Sequence, residues 1–379
     1  MNPSRTAFGA WNGGRFMHYG LALDEGHWIA LVQHAYHQGL RTFLTADVYG
    51  CGQADDLLGR ALAGIPRDSY CLVGSIGHDF YSAKRDGSKG FPRFSNPQLR
   101  SPSDFAGYLR MATERSLERC KTDRFDLLLL HNPDYLGYSN DAVWLGMDAL
   151  RQAKLADRLG IAPGPANGFS LDLILAFERF GSLIDWAMVI LNPFEPWPTS
   201  LILPAALQYN IRLITRVVDY GGLFHGDVRP GHYFGTSDHR SFRPAGWVEF
   251  AWHKLDPLRP IAQRHNLSLL QLACAWNLQQ PPVQCVVPTL IQEIGEGTRS
   301  IESKADELAS LPQAVLSADE LSLITLIGDN RGCMQLKGAN RSHTTAPESD
   351  KWSITPDLEA VGRRWLIDPD RDLIYSHGE

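Results

Sequence analysis

The chain has 379 residues, 44% of them hydrophobic, and a formal net charge of −6 at pH 7. This apolar content suffices for a large buried core, and the acidic balance lacks the basic surplus typical of nucleic-acid-binding proteins. No apolar run reaches the length of a signal peptide at the start or of a membrane-spanning helix elsewhere. We therefore expect a cytoplasmic monomer or small homo-oligomer with a small-molecule substrate and with neither nucleic acid nor membrane as partner.

The cysteines form no C-x-x-C pair, and several lie inside apolar segments. They are Cys51, Cys71, Cys120, Cys274, Cys285 and Cys333. Isolated cysteines in a chain without secretory features are typical of free thiols in a reducing compartment. We interpret them as buried free thiols rather than as disulfides or zinc ligands.

Short apolar, β-branched runs alternate with longer amphipathic segments in chain order. The predicted strands are residues 41–46, 70–75, 125–130, 158–162, 186–191, 212–217 and 284–288. The predicted helices are residues 54–63, 103–121, 141–153, 171–180, 201–209, 259–265, 269–278 and 319–327. This alternation predicts a parallel sheet with right-handed crossovers. If the opening hairpin region, residues 6–19, supplies an eighth strand, the α/β chain forms a single (β/α)8 TIM barrel over residues 1–330.

Two stretches interrupt this alternation. Residues 221–254 are rich in Gly, His, Asp, Arg and aromatic residues, and their length is typical of an ordered loop over the barrel mouth. In the tail, polar loops at residues 342–349 precede a helical segment at residues 357–365. We expect residues 331–379 to be a C-terminal extension packed on the barrel.

Six segments resemble the aldo-keto reductases and occur in that family's order. They are FGAWNGG at 8–14, TADVYGCGQADDLLGRAL at 45–62, SLERCKTDRFDLLLLHNPD at 116–134, LADRLGIAPG at 155–164, ITRVVDYGGLFHG at 214–226 and LQLACAWNL at 270–278. The resemblance covers roughly residues 8–288 and implies a TIM barrel. It also implies reduction of carbonyls by NADPH with a tetrad of Asp, Tyr, Lys and His.

The resemblance places Tyr49 and His131 at two tetrad positions, but the residues at the other two positions differ from those of the family. Leu44 stands at the position of the Asp, and Ile76 at the position of the Lys. In the family the Lys lowers the pKa of the Tyr, which protonates the forming alkoxide. Because burial disfavours a phenolate, Tyr49 without that Lys is expected to be a poorly tuned proton donor.

The family's cofactor-binding positions are also altered. Ala162 and Pro163 stand where a Ser–Asn pair is expected, and Leu191 where a Gln is expected, so the nicotinamide amide loses its side-chain hydrogen bonds. The last loop, PTLIQEIGEGTRSIESK at 288–304, differs from the family's phosphate-binding loop. Arg299 and Lys304 remain the cofactor-binding candidates if NADP(H) binds.

Active residues of such barrels lie at the carboxyl ends of the strands. The catalytic candidates there are Asp47, Tyr49, His78 and His131. The substrate-binding candidates are Trp11, Asp79, Asn132, Glu195, Trp197, Arg216, Asp219 and Tyr220. A His beside carboxylates exchanges protons near neutral pH, and an Arg can hold a carboxylate or phosphate in its fork. Structural roles remain open for several of them, such as helix capping by Asn132 and turn formation by Asp47.

A divalent metal is a further alternative, with His78, His131, Glu195 and Asp219 as its ligands. No tight His/Glu spacing supports that site, and no metal is included in the main prediction. The main hypothesis is a non-redox acid/base enzyme of dehydratase, lyase or isomerase type that acts on a small polar carbonyl or polyhydroxy substrate. The alternatives are an NADP(H)-dependent carbonyl/alcohol oxidoreductase with a remodelled site and a non-catalytic sensor or regulatory barrel.

Overall fold

The fold of this protein comes from a computed structural model that describes residues 1–87, 90–164, 169–243, 246–313, 315–330 and 354–373. Eight parallel strands form one sheet in sequential order. They are β1 (Phe8–Gly9), β2 (Thr42–Leu44), β3 (Cys71–Ile76), β4 (Leu127–His131), β5 (Leu159–Ala162), β6 (Trp186–Ile190), β7 (Arg212–Arg216) and β8 (Val283–Val287). The seven predicted strands are confirmed, and β1 is the eighth.

The opening segment closes the barrel by joining two neighbours in parallel. β1 pairs with β2, and Thr6 forms a parallel bridge to Val286 on β8. The Ala7 N–H donates to the Val286 carbonyl at 3.0 Å. The hairpin predicted for residues 6–19 is therefore wrong, because residues 10–19 contain turns and bends but no returning strand.

The helices surround the sheet, as the crossover rule for parallel strands requires. They are α1 (Glu25–His37), α2 (Gln53–Ala61), α3 (Phe105–Cys120), α4 (Tyr135–Ser139), α5 (Asp141–Gln152), α6 (Ser170–Phe180), α7 (Leu203–Gln208), α8 (Trp247–Leu255), α9 (Arg259–Arg264), α10 (Leu269–Leu278), α11 (Ile301–Ala309), α12 (Ala318–Gly328) and α13 (Pro356–Trp365). No helix among the described residues is long and apolar enough to cross a membrane.

The segment predicted as one long loop over the mouth, residues 221–254, ends in a helix. α8 buries Trp247, Val248, Ala251 and Leu255, a spacing that places their side chains on one helical face. This correction leaves residues 221–243 as the described part of the loop.

The apolar core has two layers, because successive strand side chains face opposite sides of a sheet. On β4, Leu127 and Leu129 belong to the cluster inside the barrel, whereas Leu128 and Leu130 pack under the helices. This double burial explains the unbroken apolar run that the sequence shows for that strand.

The tail returns to the barrel through α13, which confirms the helix predicted at residues 357–365. Trp365 Nε1 donates to Glu178 of α6 at 2.9 Å, and Arg364 Nε donates to the same carboxylate at 2.9 Å. The predicted polar loops at 342–349 and Cys333 lie outside the described residues. The five described cysteines are free thiols, of which only Cys51 is exposed.

Candidate active site

The carboxyl ends of the strands surround a cavity of about 360 Å³ at the barrel mouth. Six of the predicted site residues line it: Trp11, Tyr49, His78, His131, Asn132 and Arg216. The cavity therefore brings together residues that follow β1, β2, β3, β4 and β7.

Tyr49 lies in a tight turn directly after β2. Its N–H donates to the Ala46 carbonyl at 3.0 Å, and Gly50 and Cys51 follow it in the left-handed backbone region. The Tyr49 ring packs edge-on against Trp11 and His131, with centroid distances of 6.5 and 5.8 Å. The turn thus holds the phenol against the imidazole of β4 at the barrel mouth.

The residues around the Tyr49 phenol differ in one respect from those that the family resemblance predicts. Ile76 packs in the outer cluster under the helices, so the alternation along β3 turns Ser75 toward the barrel interior instead. Leu44 belongs to the inner cluster. No lysine is found among the described residues that line the cavity, so the absence of the family's ammonium group does not depend on the choice between Ser75 and Ile76.

Arg216, at the end of β7, supplies the positive charge that acts on the phenol. Burial raises the pKa of Tyr49 to about 12, and the Arg216 charge opposes that rise. The Arg216 guanidinium donates through Nη2 to the carbonyls of Gly164 at 2.8 Å and Pro163 at 3.4 Å. These bonds hold the side chain across the mouth between β7 and the end of β5.

The imidazoles of His78 and His131 adjoin cations and an amide rather than carboxylates. His78 lies 3.0 Å from Arg93 Nη1 and 3.1 Å from Asn132 Nδ2. Burial, and then the Arg93 charge, lower the pKa of His78 to about 3. Burial and nearby positive charges also hold the pKa of His131 well below its ordinary range. Both rings are therefore neutral at pH 7, which corrects the prediction of proton exchange by a His beside carboxylates.

Two predicted acidic site residues instead support loops behind the cavity wall. Asp79 accepts the Ser82 N–H at 2.9 Å and pairs with Arg100 at 2.7 Å. Asp219 accepts the N–H groups of Gly222 and Thr289 at 2.8 and 2.7 Å. Neither side chain lines the cavity, so the structure does not bring Asp79 and Asp219 together with the other predicted site residues.

Two further predicted acids are buried away from the mouth. Glu195 accepts from Asn192 Nδ2 at 2.8 Å. Asp47 is fully buried, and burial beside Asp55 raises its pKa well above the usual range. Neither residue lines the cavity, so the structure keeps Asp47 and Glu195 apart from the predicted site residues that meet there.

Of the three aromatic residues predicted to bind substrate, Trp11 alone lines the cavity. Trp197 Nε1 donates to the Asp372 carbonyl of the tail at 2.6 Å. Tyr220 packs edge-on against Phe194 and Trp247 under the helices. Both aromatic side chains stabilise loop packing because their rings are buried away from the mouth.

The four residues considered as metal ligands do not converge. His78 and His131 face the cavity, whereas Glu195 and Asp219 are held behind it. Across the described part of the chain, no three His, Cys, Asp or Glu side chains are placed to hold a metal ion.

The two cations considered for cofactor phosphate are paired with carboxylates of the chain. Lys304 is fully buried, with Nζ 2.6 Å from Asp227. Arg299 Nη1 lies 2.6 Å from Glu307. Leu191, expected at the family's Gln position, packs in the outer cluster, and the β6 side chain that lines the cavity is Met188. A thioether offers no N–H donor and only a weak acceptor to a carboxamide.

Sequence reasoning missed Tyr19 and His239, which complete the cavity wall. Their rings pack edge-on at 5.5 Å, because the loop after β7 is fastened to the opening segment. The Asp238 carboxylate accepts hydrogen bonds from the Gly20 N–H at 2.8 Å and from the guanidinium of Arg240. The abundance of His and aromatic residues in that loop was the only signal that could have indicated His239.

Comparisons with known proteins agree with this barrel. The model of the aldo/keto reductase family matches residues 7–325. Aldo-keto reductase YhdN of Bacillus subtilis is 27% identical over 288 residues, 74% of this chain and 79% of that protein. The fold is similar to that of glycerol dehydrogenase AKR11B4 from Gluconobacter oxydans, with a TM-score of 0.67, 21% identity, and coverage of 86% of this chain and 92% of that one.

A second solved structure is an aldo/keto reductase from Klebsiella pneumoniae in complex with NADP and acetate. It has a TM-score of 0.59 and 19% identity, and the match covers 88% of this chain and 95% of that one. The match of the family model over most of the chain, together with the eight-stranded barrel, shows that the chain belongs to the aldo-keto reductase family.

Proposed function

We propose that this protein is an NADP(H)- or NAD(H)-dependent oxidoreductase that reduces a small carbonyl compound or oxidises the corresponding alcohol. The observation that carries the proposal is one cavity shared by the Tyr49 phenol, the His131 imidazole and the Arg216 charge. The relatives support it, since one is named a reductase, one a dehydrogenase, and a third was solved with NADP.

The cavity lining suits the nicotinamide end of a dinucleotide, whereas the loop after β8 is less suited to a 2′-phosphate at the other end. Pro163, Met188 and Val217 form an apolar wall near Tyr49 that suits a nicotinamide ring. In the loop after β8, outside the described lining of the cavity, Lys304 and Arg299 are already paired with the carboxylates of Asp227 and Glu307, which would weaken their attraction for a 2′-phosphate. When bound, the nicotinamide would exchange a hydride with the substrate carbon.

The chain itself would provide the proton and position the oxygen. With a pKa of about 12, the Tyr49 phenol stays protonated at neutral pH and remains a stronger acid than an aliphatic alcohol. Proton transfer from Tyr49 to a developing alkoxide is therefore favourable, and the Arg216 charge stabilises the phenolate left behind. The neutral His131 ring can form a hydrogen bond to the substrate oxygen.

The geometry gives less support to the two other hypotheses. Non-redox acid/base chemistry near neutral pH is favoured by a group that titrates there, whereas the imidazoles of His78 and His131 are held neutral. A sensor barrel without chemistry would not need six predicted polar and aromatic residues around one cavity.

The experiment is to follow the nicotinamide absorbance band with purified protein, NADH or NADPH, and a panel of small aldehydes and ketones. We expect Tyr49→Phe to lower kcat/KM by about 100-fold or more, as loss of a general acid does, with unchanged cofactor affinity. Tyr135→Phe, a change at a half-exposed tyrosine outside the cavity, is the matched control. No carbonyl-dependent loss of absorbance with either cofactor, or full activity of Tyr49→Phe, would reject the proposal.

A further inference from the structure

We propose that the substrate carries an anionic group, a carboxylate or a phosphate, and that Arg216 binds this group. The inference rests on the proposed function, since it places the anion on the molecule whose carbonyl meets Tyr49. It goes further by naming the chemical class of substrate.

The charged residues that line the cavity are cationic. Arg85 and Arg216 line it, and no Asp or Glu is among its described lining residues. The chain as a whole is acidic, with a net charge of −6, so this wall differs in sign from the rest of the molecule. A site of this composition favours an anion over a neutral or cationic ligand.

Arg216 itself lacks an anionic partner among the described residues. Its hydrogen bonds go to the carbonyls of Gly164 and Pro163, and it forms no ion pair. By contrast, the buried Arg240 meets two carboxylates, Asp238 at 2.7 Å and Glu293 at 2.9 Å. A partly buried guanidinium without a counter-charge is costly, and a bound anion removes that cost.

The Arg216 guanidinium keeps N–H donors that no described protein group uses. Both carbonyl bonds use Nη2, so the N–H groups of Nε and Nη1 remain available to a ligand. Charge-assisted hydrogen bonds from a guanidinium to a carboxylate or phosphate oxygen are among the stronger hydrogen bonds in proteins. Because Arg216 and Tyr49 line the same cavity, one small molecule can place its anion at the first and its carbonyl oxygen at the second.

The test is calorimetric titration of the full-length protein with inorganic phosphate and, separately, with oxalate. We expect one-to-one binding of at least one anion and at least tenfold weaker binding to Arg216→Gln. Arg216→Lys keeps the charge but replaces the planar guanidinium donors with a compact ammonium on a different stem, so at least threefold weaker binding is expected even if Arg216→Gln fails to fold. Arg229→Gln removes an exposed cation of the same loop outside the cavity and should bind as the unmodified protein does.

The titrations are repeated with saturating NADH or NADPH. Anion binding that persists beside the cofactor supports a substrate site, and the preferred probe indicates a phosphorylated or a carboxylated carbonyl compound. Competition with the cofactor would assign Arg216 to the dinucleotide phosphates and would overturn the inference, as would unchanged binding by both Arg216 variants. Anion binding is measured without turnover, so a failure of the proposed redox activity would be seen separately in the absorbance assay.

Discussion

The ammonium group of Lys304 lies 2.6 Å from the carboxylate of Asp227, and both side chains are almost fully buried. In the loop expected to bind a 2′-phosphate, that cation is therefore already neutralised. We expect NADPH to bind no more tightly than NADH, because the phosphate would have to approach Asp227 and Glu307. Dissociation constants from tryptophan fluorescence quenching by each cofactor measure this.

Two glutamate-to-glutamine variants test whether the carboxylate beside Arg299 weakens the binding of NADPH. Glu307→Gln frees Arg299 at a partly exposed position and should raise the affinity for NADPH severalfold while leaving that for NADH unchanged. The exposed Glu296 of the same loop forms no ion pair with any residue that the structure describes, so Glu296→Gln serves as the control. Tenfold tighter binding of NADPH than NADH by the unmodified protein would contradict the expectation.

The raised pKa of Tyr49 predicts opposite pH profiles for the two directions of reaction. Reduction uses the protonated phenol, so its kcat/KM should show no loss from Tyr49 deprotonation below about pH 10. Oxidation of an alcohol uses the phenolate, so its rate should rise about tenfold per pH unit in the same range. A plateau of the oxidation rate near neutral pH would show that another group, or a much more acidic Tyr49, accepts the proton.

The buried imidazoles predict sensitivity to acid. The pKa of His78 falls from 6.5 to about 3 on folding, so the unfolded chain binds protons more readily than the folded chain. The free energy of unfolding should therefore be highest above pH 6.5 and should fall as pH decreases toward about 3. Denaturant titrations between pH 7 and pH 4 should show a smaller loss for His78→Asn than for the unmodified protein. His37→Asn, at an exposed position, should leave the loss unchanged.

The ion pairs of Arg240 connect the loop over the barrel mouth to the rest of the barrel and should contribute to the free energy of unfolding. It joins Asp238, which holds the opening segment at Gly20, to Glu293 after β8, and all three charged side chains are buried. Arg240→Met leaves two buried carboxylates without a cation and should cost roughly 3–5 kcal/mol of unfolding free energy. Arg110→Ala breaks the exposed Arg110–Glu114 pair and should cost less than about 1 kcal/mol. Equal losses in guanidinium titrations would mean that the Arg240 contacts contribute little.

Much of the fold could be predicted because its signals are local. Strands that are buried on both faces are mostly apolar, so runs such as the leucines of β4 stand out in the sequence. β1 has only two residues, and its parallel pairing with β2 is a long-range contact that no local pattern records. α8 lies within the predicted loop because the aromatic residues that it buries also suit a binding segment.

The sequence by itself determined the seven longer strands of the barrel, the positions of Tyr49 after β2 and of His131 at the end of β4, and the absence of a lysine at Ser75 and Ile76 on β3. These conclusions depend on residue identity and periodicity. Only the tertiary structure decided which polar residues meet. Asp79, Glu195 and Asp219 also follow strands, yet backbone N–H groups and side-chain donors hold them behind the wall. Arg216 faces the cavity without an anionic partner among the described residues, because a side chain's charge balance depends on neighbours that are distant in sequence.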